Sequence, residues 1–214
     1  MQDMEQGAVA APLGVILAGG QARRMGGGDK GELDLGGQSL LSRVIGRLAP
    51  QVDALALNAN GDPARFARYG LPVLPDSIGG YVGPLAGVLA GMDWAAARGA
   101  DVIVTAAWDT PFFPRDLVER LSAAAQGMEH PLVLAATDDP ERGFTRHSAF
   151  GLWPVALRED LRTALGEGLR KIVLWTERHG GRFAEFPRGA TDPFFNVNTP
   201  GDLEAAAALL ENNP

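Results

Sequence analysis

Between Leu17 and Lys30 the chain reads LAGGQARRMGGGDK, in which Gly19, Gly20, Gly26, Gly27 and Gly28 are interleaved with Arg23, Arg24 and Lys30. Glycine lets backbone N–H groups approach an anion closely, because no Cβ stands in the way. Arginine adds a planar fork of donors and lysine a point charge, both suited to phosphate oxygens. The combination is the chemistry of a polyphosphate cradle; the alternative, a surface loop with solvated charges, fits a generic glycine-rich stretch better than this one. Two familiar phosphate motifs do not describe it. Gly26, Gly28 and Gly31 have the spacing G-x-G-x-x-G but stand well past the preceding apolar run, whereas the dinucleotide fingerprint follows its strand at once. Lys30 is flanked by Asp29 and Gly31, not by the Gly and Ser/Thr of a P-loop.

Asp109, in Trp108-Asp109-Thr110-Pro111, directly follows the apolar run VIVTAA. A carboxylate there suits Mg²⁺, which takes one or two carboxylates together with phosphate oxygens and water. The competing reading is an N-cap for the helix that follows. Asp76, after Pro75, offers two acceptor oxygens that match guanine N1–H and N2–H₂, or it is an ordinary turn residue. In Asn196-Val197-Asn198-Thr199-Pro200 two alternating amides share one side of an extended segment and suit a metal or a phosphate. Thr199-Pro200 also reads as the cap and first turn of a helix, and both readings can hold for different atoms. His147, beside Arg146, is a substrate-side candidate, whereas His130 and His179 sit in polar turns and read as solvated. No H-x-x-x-H pair points to zinc, and no G-x-S-x-G marks a nucleophile elbow.

These residues need strand ends to hold them. Leu13–Ala18, Ala54–Leu57, Val73-Leu74, Val102–Ala107 and Leu132–Ala136 are short apolar runs of the kind buried in a parallel sheet. Between them lie helical spacings at Ser39–Leu48, at Leu85, Val88, Leu89 and Met92, and at Leu117, Val118 and Leu121. This alternation predicts an α/β domain, Rossmann-like, with a mostly parallel central sheet in a three-layer α/β/α arrangement. Further on, Ala149–Trp153 reads as an extra strand, Leu157, Leu161 and Leu165 as a helix face, Gly180–Phe186 as an edge strand and Asp202–Leu210 as a terminal helix. Trp94, Trp153 and Trp175 read as core packing. In such sheets ligands bind beyond the carboxyl ends of the strands, where the glycine-rich loop, Asp76 and Asp109 all fall.

The bulk numbers agree. Of 214 residues, 46 % are hydrophobic and 21 % charged, an ordinary globular balance. Residues 1–12 lack periodicity and read as a disordered tail before a single domain over 13–214. Without cysteine there is no disulfide or thiolate chemistry. The net charge of −7, from 19 Lys+Arg and 26 Asp+Glu, argues against nucleic acid or anionic membrane as a partner. No leader or apolar span is visible, so a cytoplasmic protein is expected.

The segments LAGGQARRMGGGDKGELDLGGQSLL, LNAN, PDS, GPLAGVLAGM, DTPFFP, RHSAFGLW and FNVNTPGDL, in this order, resemble the molybdenum cofactor guanylyltransferases, the MobA group of nucleotidyltransferases. The resemblance implies a GT-A-type fold and Mg²⁺-dependent transfer of GMP from GTP to molybdopterin or Mo-molybdopterin, releasing pyrophosphate. It implies that Leu17, Ala18, Gly19 and Gly20 meet the nucleotide, that Asn58 and Asp76 hold the nucleoside, and that Lys30 and Arg24 bind phosphate. Asp109 would take the metal, and His147, Asn196 and Asn198 would lie towards the acceptor. Proteins that deliver molybdopterin or mature molybdoenzymes would be its partners. Trp108 stands where a small residue or cysteine usually precedes the metal aspartate, and Ser148 where proline often follows the histidine. The competing functions are cytidylyl transfer or transfer to a sugar phosphate on the same fold, and a nucleotide-binding regulator without turnover.

Overall fold

The computed structural model describes residues 11–19, 30–79, 83–139, 143–189 and 192–211. Gly20, Arg23 and Arg24 of the glycine-rich loop, and residues 1–10 of the expected tail, lie outside the described residues.

The first strand, β1 (Leu13–Leu17), is apolar except for Gly14 and buried throughout. A 3₁₀ turn over Lys30–Glu32 leads into a small hairpin, β2 (Asp34–Leu35) and β3 (Gln38–Ser39). Helix α1 (Leu40–Leu48) follows at once, because Ser39 caps it by accepting from the Ser42 N–H at 3.1 Å. Then come β4 (Leu55–Asn58), β5 (Val73–Leu74), α2 (Pro84–Ala96), β6 (Val102–Ala107) and α3 (Leu117–Ala124). The last part holds β7 (Val133–Asp139), β8 (Gly143–Pro154), α4 (Arg158–Gly166), α5 (Ile172–Arg178), β9 (Arg182–Glu185) and α6 (Pro200–Glu211).

Seven strands form one sheet in the order β5-β4-β1-β6-β8-β7-β9. All neighbours are parallel except those of β8, which runs antiparallel to both β6 and β7. Alternate side chains of each strand enter opposite cores. Ile16, Val104 and Ala135 pack with α1 and α3, whereas Val15, Ile103 and Leu134 pack with α2, α4 and α5. The three-layer α/β/α arrangement is thus the one the alternation predicts. No helix among the described residues is long and apolar enough to cross a membrane.

Three details differ from expectation. The strand expected at Ala149–Trp153 is β8, begins at Gly143 and separates β6 from β7. Its first half carries Thr145, Arg146, His147 and Ser148, so an apolar run does not reveal it. The indole of Trp153 fixes it to β6 by donating to Thr105 Oγ1 at 2.9 Å inside the core. Helix α5 was not expected, being only seven residues long and without a side-chain cap. It is held by its tertiary contacts. Trp175 is fully buried and donates to Asp160 Oδ1 at 2.8 Å. His179 is not simply solvated either, because its Nε2 lies 2.7 Å from the same oxygen.

This cluster predicts an acid response. Burial pushes the Asp160 carboxyl up, but hydrogen bonds from Trp175 and His179 and the charges of His179 and Arg178 outweigh it, and the net shift is downward. A carboxylate held below its unfolded value stabilises the fold above that value, about 3.9, and the contribution is lost as pH falls through the folded value. Urea midpoints of wild type and Asp160→Asn should therefore differ most at neutral pH and converge on acidification below about pH 4. A constant gap across that range would contradict the assignment.

Candidate active site

The registers of four strands set the site. Leu17 is opposite Asn58 of β4 and Ala107 of β6, and Asn58 is opposite Leu74 of β5. The residues that follow these strands therefore emerge side by side at one edge of the sheet. Two hydrogen bonds extend the alignment past the strand ends, from Ala18 N–H to Asn58 O at 2.8 Å and from Trp108 N–H to Leu17 O at 3.2 Å. A cavity of about 360 Å³ opens there, lined by Leu17, Gly19, Asn58, Asn60, Asp76, Gly83, Pro84, Ala107, Trp108, Asp109, Ala149 and Asn196.

One wall is an amide–carboxylate network. Asn58 is 2 % exposed and donates through Nδ2 to Leu74 O at 3.1 Å and to Asp76 Oδ1 at 3.0 Å. Asn60 donates to Asp76 Oδ2 at 2.8 Å and accepts from the Asp76 N–H at 2.9 Å. An ionised carboxylate has about four acceptor positions. These two amides use one on each oxygen and leave one on each for a ligand that presents two N–H donors. Behind the network α2 comes unusually close, since a Cβ on Gly87 would lie 2.2 Å from Asn58 Oδ1. The amino end of α2, Gly83-Pro84, borders the cavity, and a helix amino terminus favours an anion.

The opposite wall carries Asp109. It is not the cap of α3, because Asp116 occupies that position and its carboxylate is engaged with Arg120. Asp109 instead lies just past β6, partly exposed, with its backbone C=O accepting from Val197 N–H at 2.9 Å. Buried Thr110 donates to Asp109 Oδ1 at 3.3 Å and is also hydrogen-bonded to Asn196 Oδ1. These contacts bring the Asn196 segment beside Asp109. Among the described residues no group of three His, Cys, Asp or Glu could hold a metal ion. One carboxylate with a neighbouring amide oxygen nevertheless suits Mg²⁺, whose remaining ligands are characteristically phosphate oxygens and water.

Trp108 is 5 % exposed and reaches across to the segment after the glycine-rich loop. A Cβ on Gly31 would lie 2.8 Å from Trp108 Cε3, so the indole rests on the turn that Lys30 opens. Asn198 does not line the cavity. Its N–H, with that of Thr199, donates to Asp202 Oδ2, while Thr199 Oγ1 accepts from Asp202 N–H, which makes this stretch the cap of α6.

His147 is also not among the lining residues. It stacks on Phe194 with ring centroids 4.1 Å apart, and its Nε2 lies 2.9 Å from Thr137 Oγ1. Burial lowers its pKa, against a smaller opposing pull from Asp192, so the neutral imidazole is favoured.

The family model described as the MobA-like NTP transferase domain matches residues 14–180. A molybdenum cofactor guanylyltransferase of Bradyrhizobium sp. (strain ORS 278) is 51 % identical over 209 residues, covering 96 % of this chain and 96 % of that protein. One from Mesorhizobium japonicum is 50 % identical over 204 residues, covering 93 % and 96 %.

The chain belongs to the MobA-like NTP transferase family.

It is thus an enzyme of the nucleotidyltransferase class, in its molybdenum cofactor guanylyltransferase group. Solved structures agree on the fold. The molybdopterin-guanine dinucleotide biosynthesis protein A of Archaeoglobus fulgidus superposes with a TM-score of 0.69 at 23 % identity, covering 94 % of this chain and 99 % of that one. A 4-diphosphocytidyl-2C-methyl-D-erythritol synthase from Anaerococcus prevotii gives 0.74 at 12 %, covering 95 % and 100 %. In this nucleotidyltransferase, sequence reasoning missed four lining elements: Asn60, the amino end of α2, Ala107 and Ala149. Gly83-Pro84 had a legible signal, a proline at the first helical position. Ala149 had none, because it enters through a bulge. Leu134 pairs with Gly151 but Ala135 with His147, so Ser148, Ala149 and Phe150 have no partners on β7.

Proposed function

We propose that the cavity binds GTP and that the enzyme transfers GMP to the terminal phosphate of molybdopterin, or Mo-molybdopterin, releasing pyrophosphate. The observation that carries this reading is the meeting of the Asn58–Asn60–Asp76 network with Asp109 and Asn196 around one cavity, in a chain about half identical to molybdenum cofactor guanylyltransferases. Among the described residues Asp76 has one acceptor position left on each oxygen, which matches guanine N1–H and N2–H₂. Cytosine presents only its N4–H₂ donor to such a carboxylate.

The acceptor phosphate oxygen attacks the α-phosphorus of GTP. A new P–O bond forms there, the bond from the α-phosphorus to the β-bridging oxygen breaks, and pyrophosphate leaves with that oxygen. The attacking phosphate is already anionic near neutral pH, so no protein nucleophile or strong base is required. The work left to the protein is alignment and charge neutralisation. Lys30 and Arg24 offer cations to the leaving pyrophosphate, and the amino end of α2 offers its dipole. Asp109 and Asn196 are the residues that would hold Mg²⁺, which when bound supplies charge neutralisation to phosphate oxygens. The enzyme would act in the cytoplasm, receiving molybdopterin from delivery proteins and passing the dinucleotide to molybdoenzyme-maturation proteins.

Thermal-shift measurements with GTP, CTP, ATP and UTP, each with Mg²⁺, test the nucleotide. GTP at a hundred times its Kd should add about 2.7 kcal/mol of stability, and the other three markedly less. A preference for CTP would move the assignment to cytidylyl transfer. A GTP shift without pyrophosphate release in the presence of molybdopterin would move it to a regulator.

A further inference from the structure

On the flank of the domain, Arg43 and Arg47 of α1 converge with Arg115 on a depression of about 140 Å³ completed by Ser42, Phe112 and Leu210. Among the described residues none of the three arginines is in an ion pair, although the chain carries a net charge of −7. Backbone carbonyls hold two of the guanidinium groups in place. Arg43 donates through Nε to Leu35 O at 2.7 Å and through Nη2 to Gly36 O at 3.1 Å, and Arg47 through Nη1 to Phe113 O at 2.9 Å. The charges repel one another. Arg47 has its pKa lowered first by burial and then by Arg115 and Arg43. Three cations held close together, with no carboxylate paired to them among the described residues, cost free energy that a bound anion recovers.

We propose that this depression is a second anion site, taking one phosphate-sized tetrahedral oxyanion, separate from the nucleotide cavity. The two sites share no lining residue. The depression is far below the roughly 300–1,000 Å³ of a pocket for a nucleotide-sized ligand. Its walls come from three chain segments, two of which follow residues that line the nucleotide cavity. Helix α1 follows the turn at Lys30, Phe112 and Arg115 follow Asp109, and Leu210 lies in the last turn of the helix that follows Asn196. An oxyanion there braces these segments against one another through the contact from Arg47 to the Phe113 carbonyl.

The test is calorimetric titration of wild-type protein, in chloride buffer without nucleotide, with sodium phosphate and separately with phenyl phosphate. Binding of phosphate alone identifies a site for the free anion, and binding of both a site that accepts a terminal phosphate group. Arg47→Gln/Arg115→Gln should bind at least about tenfold more weakly, the loss expected for a charge-assisted contact, whereas Lys30→Ala should bind as wild type does. Arg115→Gln, altering an exposed side chain, supplies a readout that a structural role would not produce. In phosphate-free buffer its melting temperature should equal or exceed that of wild type, and the rise that phosphate gives wild type should shrink. No binding in wild type, undiminished binding in the double variant, or loss of binding in Lys30→Ala would each overturn the proposal.

Discussion

Asp109→Ala is expected to lower GMP transfer by at least about a thousandfold, at the upper end of what loss of one preorganised electrostatic contact costs, while leaving the protein folded. The two halves of this expectation rest on different atoms. The carboxylate is partly exposed at the end of β6 and lines the nucleotide cavity, where it is the candidate holder of Mg²⁺. The contact that organises the neighbouring segment, from Val197 N–H, uses the Asp109 backbone carbonyl, which alanine retains. Thr110 loses Asp109 Oδ1 as an acceptor but keeps its hydrogen bond to Asn196 Oδ1, so the cost should stay near the roughly 1 kcal/mol of an ordinary point substitution. Pyrophosphate release and a urea melt on the same preparation separate the two. Near wild-type turnover would remove Asp109 from the mechanism, and loss of folding would show its side chain to be structural.

Gly87→Ala should destabilise the protein and weaken nucleotide binding, against the usual direction of such a change. In a helix interior alanine is preferred to glycine by roughly 0.5–1 kcal/mol. Here the added Cβ would stand 2.2 Å from Asn58 Oδ1, 2.8 Å from Asn58 Cγ and 2.9 Å from Leu17 Cδ2. Asn58 is 2 % exposed and held by Leu74 O and Asp76, so it cannot step aside without releasing the carboxylate. Overpacking typically costs about 1–3 kcal/mol, and nucleotide Kd should rise because Asp76 loses its inner partner. Gly46→Ala in α1 is the control. A Cβ there meets nothing within 4 Å, so this variant should gain roughly 0.5–1 kcal/mol. Stabilisation by both substitutions would show that α2 can withdraw and that its close approach does not hold Asn58.

Several residues of the candidate site were legible because local patterns reveal them. Apolar runs ending in polar residues mark β1, β4 and β6, and a chain that alternates such runs with helical spacings has few ways to bury them. Asp109 and Asp76 could therefore be assigned to one sheet edge, and Thr199-Pro200 to a helix start. What local pattern could not supply was the choice between competing uses of one residue. Asp109 and Asp116 are both aspartates ahead of α3, and only the place where the helix begins separates the cap from the cavity residue. Asn196 and Asn198 alternate along one segment, yet only Asn196 lines the cavity, while Asn198 belongs to the cap of α6.

The sequence by itself determined the fold class, the family and the set of side chains available at the strand ends, since these follow from short-range periodicity and from a contiguous motif. The tertiary structure decided which of them meet. Asn58 and Asn60 reach Asp76 because β5 pairs with β4 in one register, and Thr110 reaches Asn196 because the chain returns past the end of β6 after its excursion through β7, β8 and β9. Likewise Arg43 and Arg47 are distant from Arg115 along the chain and meet it only because α1 packs beside the segment that follows Asp109. Such meetings depend on strand order and register, which long-range packing selects and which no stretch of sequence encodes locally.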